Sequence, residues 1–267
     1  MYLNLKQKYG ITALVAGASE GLGAAFAEYL AAEDLDLILL ARRLQPLQQL
    51  ADKLKDTYKV NVTCISCDLG DVNVSKKIEA VLTEHTVSIL VYNAAVSYIG
   101  PFLDNSAENH SGAARVNIIT PLHMVHQFGG KMMARKKGAI ILMTSMTGLQ
   151  GSGYLSVYAA TKAFLMILSE SLWYEWKKSG IDIIGCCAGA TSTPGYIKSD
   201  PGRTGLFKPR VLAPDEVVKE CFHKLGRRPS FITGRGNRIA SFIIHRILSR
   251  KMAVNIMGNT TRKMYRL

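Results

Sequence analysis

The sequence predicts an α/β fold: a single doubly wound parallel sheet with helices on both faces, continued by a basic helical extension at the C-terminus. Three features carry that prediction. Short apolar runs alternate with stretches of helical periodicity, the first run ends in a glycine-rich turn, and no repeat or long linker interrupts the series. Strands buried on both faces read as continuous apolar runs, and their alternation with helices implies parallel crossovers.

The expected strands are Ile11–Ala16, Leu35–Ala41, Val60–Cys67, Val87–Tyr92, Ala139–Thr144 and Ile181–Cys187. Helical periodicity fills the intervals at Leu22–Ala32, Leu44–Thr57, Val72–Thr83, about Ala107–Arg135 and Ser156–Lys178. Pro194 to Pro214 holds four prolines and three glycines, which predicts an irregular excursion over a site. A short helix from Pro214 to Leu225 and a strand near Phe231 follow.

Composition narrows the function classes. With 48% apolar residues in 267, the chain can bury a large core and is not disordered. No apolar stretch is long enough for a spanning helix, and Met1 to Gly10 has no secretory apolar region, so a cytoplasmic protein is expected. Five irregularly spaced cysteines suit reduced thiols. Cys64 and Cys67 form a C-x-x-C, but they lie in an apolar run without a second Cys or His pair, and are expected to be strand residues. His123 and His126 lack a matching third ligand, so no metal is expected. The net charge of +13 is local: residues 221–267 hold eleven Lys/Arg and no Asp or Glu, leaving +2 for the rest.

The first strand leads into Gly17-Ala18-Ser19-Glu20-Gly21-Leu22-Gly23. Glycines there permit a tight turn and close approach of main-chain N–H groups to phosphates at a helix N-terminus. The second strand ends in Arg42-Arg43, where an Asp or Glu would hold a free ribose 2′-hydroxyl. Two guanidiniums suit a 2′-phosphate instead, so the expected cofactor is NADP(H). Glu20 is an unusual neighbour for that phosphate, and its side chain is expected to point outward.

Further along stand Asn93-Ala94-Ala95 after the fourth strand, then Ser145, Tyr158 after twelve intervening residues, and Lys162. With the glycine turn, this S-x12-Y-x3-K pattern resembles the short-chain dehydrogenase/reductase family over about residues 10–225. The resemblance implies a Rossmann-type catalytic domain, here residues 1–235, with residues 236–267 as its basic extension. It implies catalytic roles for Asn117, Ser145, Tyr158 and Lys162. It places the cofactor against Gly17, Ser19, Glu20, Gly21, Leu22, Gly23, Arg42, Arg43, Asp68, Leu69, Asn93, Ala94, Ala95, Tyr158, Lys162, Gly189, Thr191 and Thr193. A homodimer or homotetramer is implied too. Three positions depart from the family pattern: Ala16 and Ala95 are small-for-small exchanges, while Ala188-Gly189 in place of Pro-Gly is expected to loosen a preset turn.

The physics of the set is direct. Tyr158 and Lys162 share a helix face. A free phenol has a pKa of about 10, and a neighbouring ammonium together with an oxidised nicotinamide is expected to lower it. Tyr158 then serves as acid in reduction and base in oxidation, with Ser145 holding the substrate oxygen. Thr147, Gln150, Tyr154, Tyr196, Leu206 and Phe207 are expected to line the pocket for a small-molecule carbonyl or alcohol. Its apolar members hint at a fatty ketone, 3-oxoacyl group, retinoid or steroid. Two other classes are carried beside the enzyme: a non-catalytic NADP-binding sensor, and a membrane-surface protein. Nucleic acid is not an expected partner, since the basic tail has no such motif.

A tail helix from Arg238 to Lys251 would set Ile239, Ile243 and Ile247 beside Ala240, Ile244 and Leu248, with Arg238, His245, Arg246, Ser249 and Arg250 opposite. That stripe is expected either to pack on the enzyme or a partner subunit, or to lie on anionic lipid.

Overall fold

The structure is a computed structural model that describes residues 4–198 and 210–267. In chain order its elements are α1 (Leu5–Tyr9), β1 (Thr12–Ala16), α2 (Gly21–Ala32), β2 (Asp36–Ala41), α3 (Leu44–Tyr58), β3 (Val62–Ser66), α4 (Val74–Glu84) and β4 (Ile89–Tyr92). Then come α5 (Ala107–Ala114), α6 (Thr120–Arg135), β5 (Gly138–Ser145), α7 (Ser156–Trp176), β6 (Ile181–Ala188), α8 (Pro194–Lys198) and α9 (Pro214–Lys224). The chain ends with β7 (Ser230–Ile232), α10 (Arg235–Phe242) and α11 (Arg250–Tyr265).

The seven strands form one parallel sheet in the order β3-β2-β1-β4-β5-β6-β7. The order reverses between β1 and β4, so the crevice beyond their C-terminal ends is the topological switch point where ligands bind such sheets. The period-2 alternation of each strand builds two cores. Ala13 and Val15 join Phe26, Leu30, Leu47, Val217 and Phe222 on the face covered by α2, α3 and α9. Leu14 and Ala16 join Ile78, Met124, Phe128 and Leu165 on the face covered by α4, α6 and α7.

Every expected strand and crossover helix is present, within a few residues of its expected bounds. Cys64 lies within β3 and donates to the Leu47 carbonyl, whereas Cys67 falls just past the strand's end and is buried. The segment expected as one helix from Ala107 to Arg135 is continuous but carries a π-turn at Arg115–Ile119. Helix α1 was not expected; it docks through Leu5 and Tyr9, whose hydroxyl donates to Asp182 across 2.6 Å.

The tail departs most. Instead of one helix from Arg238 to Lys251, α10 runs into a π-turn at Ile243–Ile247 and stops at Leu248, which is extended. Ser249 then caps α11, its hydroxyl accepting from the Met252 N–H. The π-turn adds one residue to the helical repeat, so the expected stripe is broken. Asn237 and Ser241 face inward, while Ile239, Phe242 and Ile247 are all more than 60% exposed.

Candidate active site

The glycine turn is built for close approach. Gly17 and Gly21 have φ of +80° and +59°, the left-handed region that glycine tolerates. A Cβ on Gly17 would come within 2.7 Å of the Ala94 backbone, and one on Gly23 would come within 1.9 Å of the Gly17 carbonyl oxygen. Gly21 faces Thr193 from the far side of the crevice, so the two expected cofactor segments do meet. Asn93 ties the β4 end to the turn, its side-chain amide donating to the Gly17 carbonyl at 3.0 Å. The result is a glycine-lined cradle at the N-terminus of α2, which fits a dinucleotide's phosphates.

Of the residues expected at the adenosine end, Asp68 is exposed and accepts from the Gly70 N–H, and Leu69 is buried with its carbonyl accepting from the Thr120 hydroxyl. Arg42 and Arg43, just past the end of β2, are exposed. Glu20 is exposed, as expected, and its carboxylate accepts from Arg43 at 2.8 Å.

The proton-handling groups gather at the end of β5. Ser145, the last residue of that strand, lies beside Tyr158 in the first turns of α7, and its hydroxyl also accepts from Thr147 at 3.0 Å. Lys162 is buried, and its ammonium donates to the Met143 carbonyl at 2.8 Å while lying 5.6 Å from the Tyr158 ring centre. Burial pushes the Tyr158 phenol up to about 12, against the downward pull of its hydrogen bond with Ser145. Burial likewise brings Lys162 down to about 8. Desolvation dominates in the chain without cofactor, whereas the expected lowering of the phenol belongs to the ammonium acting together with an oxidised nicotinamide.

Asn117 occupies the π-turn and is fully buried. It exchanges two 2.8 Å hydrogen bonds with the Val96 main chain and donates to Thr161 at 3.1 Å. It thereby pins the segment after Asn93-Ala94-Ala95 to α7. Such π-turns recur at functional sites because they redirect one side chain.

The family model for short chain dehydrogenases matches residues 11–203. The chain belongs to that family. It is therefore an oxidoreductase of hydroxyl or carbonyl groups on a fold that binds NAD(P). This short-chain dehydrogenase is 31% identical over 238 residues to a 7beta-hydroxysteroid dehydrogenase of Mediterraneibacter gnavus, covering 88% of this chain and 90% of that one. A solved structure from a study of 7beta-hydroxysteroid dehydrogenase stereoselectivity superposes with a TM-score of 0.90 at 29% identity, covering 96% of this chain and 99% of the other. A short-chain dehydrogenase from Sphingobium yanoikuyae in complex with NADPH gives 0.74 at 29% identity, covering 84% and 87%.

Of the residues expected to line the substrate pocket, Gln150 is buried, and Thr147, Tyr154 and Tyr196 are half-buried. Tyr154 has φ of +65°, uncommon for an aromatic residue, and its carbonyl accepts from Gly100. Leu206 and Phe207 lie outside the described residues. The turn after β6 is not loose, contrary to the expectation from Ala188-Gly189. The Gly189 N–H donates to the Thr233 hydroxyl at 3.2 Å, the Thr191 hydroxyl donates to the Gly189 carbonyl at 3.0 Å, and Asn237 packs directly on Gly189. Sequence reasoning missed Thr233 and Asn237, and also α11, which lays Val254 and Gly258 against Gly151 and Gly153. Those loop glycines were the available signal, since small residues mark where another element approaches closely.

Proposed function

We propose that the protein is an NADP(H)-dependent oxidoreductase that moves a hydride between the nicotinamide and the carbonyl or alcohol carbon of a hydrophobic substrate. The observation that carries this reading is the convergence of Ser145, Tyr158 and Lys162 at the β5 end, beside a cradle that admits a dinucleotide. When bound, the nicotinamide supplies or takes the hydride. Tyr158 holds the proton: with its phenol pushed up to about 12, it is protonated at neutral pH and poised to donate to a developing alkoxide. Ser145 directs its hydroxyl to the same oxygen and fixes the reacting carbon. Lys162 holds the nicotinamide ribose, and Asn117 keeps the Val96 segment and α7 in register around it.

Arg42 and Arg43 support NADP(H) over NAD(H), because β2 ends in two cations where a carboxylate would hold a free 2′-hydroxyl. The hydroxysteroid relatives, together with Leu149, Tyr154 and Tyr196 around the site, favour a steroid or a ketone of similar bulk over a short-chain substrate. Ile119, Leu122, Ile167 and Tyr174 expose apolar surface on the helices around Asn117 and Tyr158, which supports a homodimer or homotetramer formed there.

Tyr158→Phe keeps the ring and removes the proton donor. Turnover with a bulky ketone is expected to fall by about 10²–10⁴-fold, with NADPH binding kept. Activity within a few-fold of wild type overturns the assignment and favours a non-catalytic nucleotide sensor.

A further inference from the structure

The pair formed by Glu20 and Arg43 joins two loops across the nucleotide mouth. Glu20 precedes α2 and Arg43 precedes α3, and neither side chain caps its own helix. Arg43 instead donates to Glu20 at 2.8 Å, with side-chain exposures of 60% and 50%. The proposed reading assigns Arg43 to the 2′-phosphate, so the carboxylate occupies the guanidinium that the phosphate needs. Glu20 also brings a negative charge to the place where that phosphate would arrive.

We infer that Glu20 is a cofactor-selectivity residue: it competes with the 2′-phosphate for Arg43 and holds the preference for NADP(H) below what Arg42 and Arg43 alone would give. The inference rests on the NADP(H) reading. Two magnitudes set its sign. A half-exposed ion pair is worth little, so an arriving phosphate can displace the carboxylate. The displaced carboxylate still lies within a Debye length of a near-dianionic group and repels it. NAD(H), which lacks the 2′-phosphate, escapes both effects, and the repulsion of the diphosphate by Glu20 is common to the two cofactors and cancels from their ratio.

The test measures dissociation constants for NADPH and NADH, by cofactor fluorescence at low salt, on wild type, Glu20→Gln and Arg42→Ala. Both positions are exposed, so neither variant threatens the fold. Glu20→Gln is expected to tighten NADPH about fivefold and leave NADH within twofold, the gain shrinking at high salt. Unchanged or weaker NADPH binding in that variant overturns the inference, since Glu20 would then be a strut that orients Arg43. The cofactor reading fails separately: equal losses of NADPH and NADH in Arg42→Ala would overturn it, and the role of Glu20 with it.

Discussion

Lys162 is 2% exposed, and burial brings its pKa down from 10.5 to about 8. Between those values the unfolded chain binds a proton that the folded chain does not, so stability rises with pH across that window. Below about pH 8 both states are protonated and the burial penalty, at most about 3 kcal/mol, is felt in full. The lysine thus opposes folding at neutral pH, and its hydrogen bond to Met143 offsets only part of that cost. Lys162→Met keeps the stem and removes the charge. Urea unfolding is expected to show a gain of about 2 kcal/mol at pH 7, falling to less than about half by pH 9.5, while activity is lost. A variant less stable than wild type at pH 7 would show that the hydrogen bond outweighs desolvation.

Among the elements, those with local causes were legible. Six of the seven strands announce themselves as apolar runs, and the glycine turn, Ser145, Tyr158 and Lys162 sit at strand or helix ends that the alternation locates. The turn after β6 was misread because its supports come from elsewhere: Thr233 lies 44 residues from Gly189, and no local pattern links them. Two further features also lay outside local pattern: the π-turn that seats Asn117 is invisible in a 3.6-residue repeat, and Arg43, the partner of Glu20, lies 23 residues away. The contact at Gly189 can be tested as a pair. A Cβ there would sit 2.3 Å from the Asn237 side-chain nitrogen and 3.3 Å from the Met146 sulfur. Gly189→Ala is expected to cost about 2 kcal/mol, and Asn237→Ala about 1–2 kcal/mol through its lost bond to the Thr233 carbonyl. The double variant should be more stable than the sum of the two losses, because the second change removes the atom that the first one strikes. Additive losses in thermal unfolding would mean that the turn relaxes around the new methyl group.

At the scale of the whole molecule, the charge is divided: +2 over residues 1–220 and +11 beyond. The sheet explains none of that division, and α10 with the π-turn after it inverts the expected amphipathic arrangement by burying Asn237 and Ser241 while exposing Ile239, Phe242 and Ile247. One face of α11 is spent on the loop at Gly151 and Gly153, and Arg250 is held by the Leu149 carbonyl. The tail is therefore in part a roof beside the site, with an outward surface in which three large apolar side chains stand among Arg235, Arg246 and Lys251. No helix among the described residues is long and apolar enough to cross a membrane. Apolar side chains that insert shallowly and cations that meet anionic headgroups are the ingredients of peripheral attachment, which would bring a hydrophobic substrate close to the pocket. Cosedimentation with vesicles tests this on the full chain. Binding to anionic vesicles is expected at low salt, with little to neutral ones. High salt should weaken it, since each basic residue near the surface contributes about 1 kcal/mol that screening removes. Replacing Ile239, Phe242 and Ile247 together by Ser should reduce binding without lowering turnover on a soluble ketone, because all three side chains face away from the core. If wild type fails to bind anionic vesicles at low salt, the outward apolar surface belongs to another copy of the chain, and the same triple variant should then shift the oligomeric state in sedimentation.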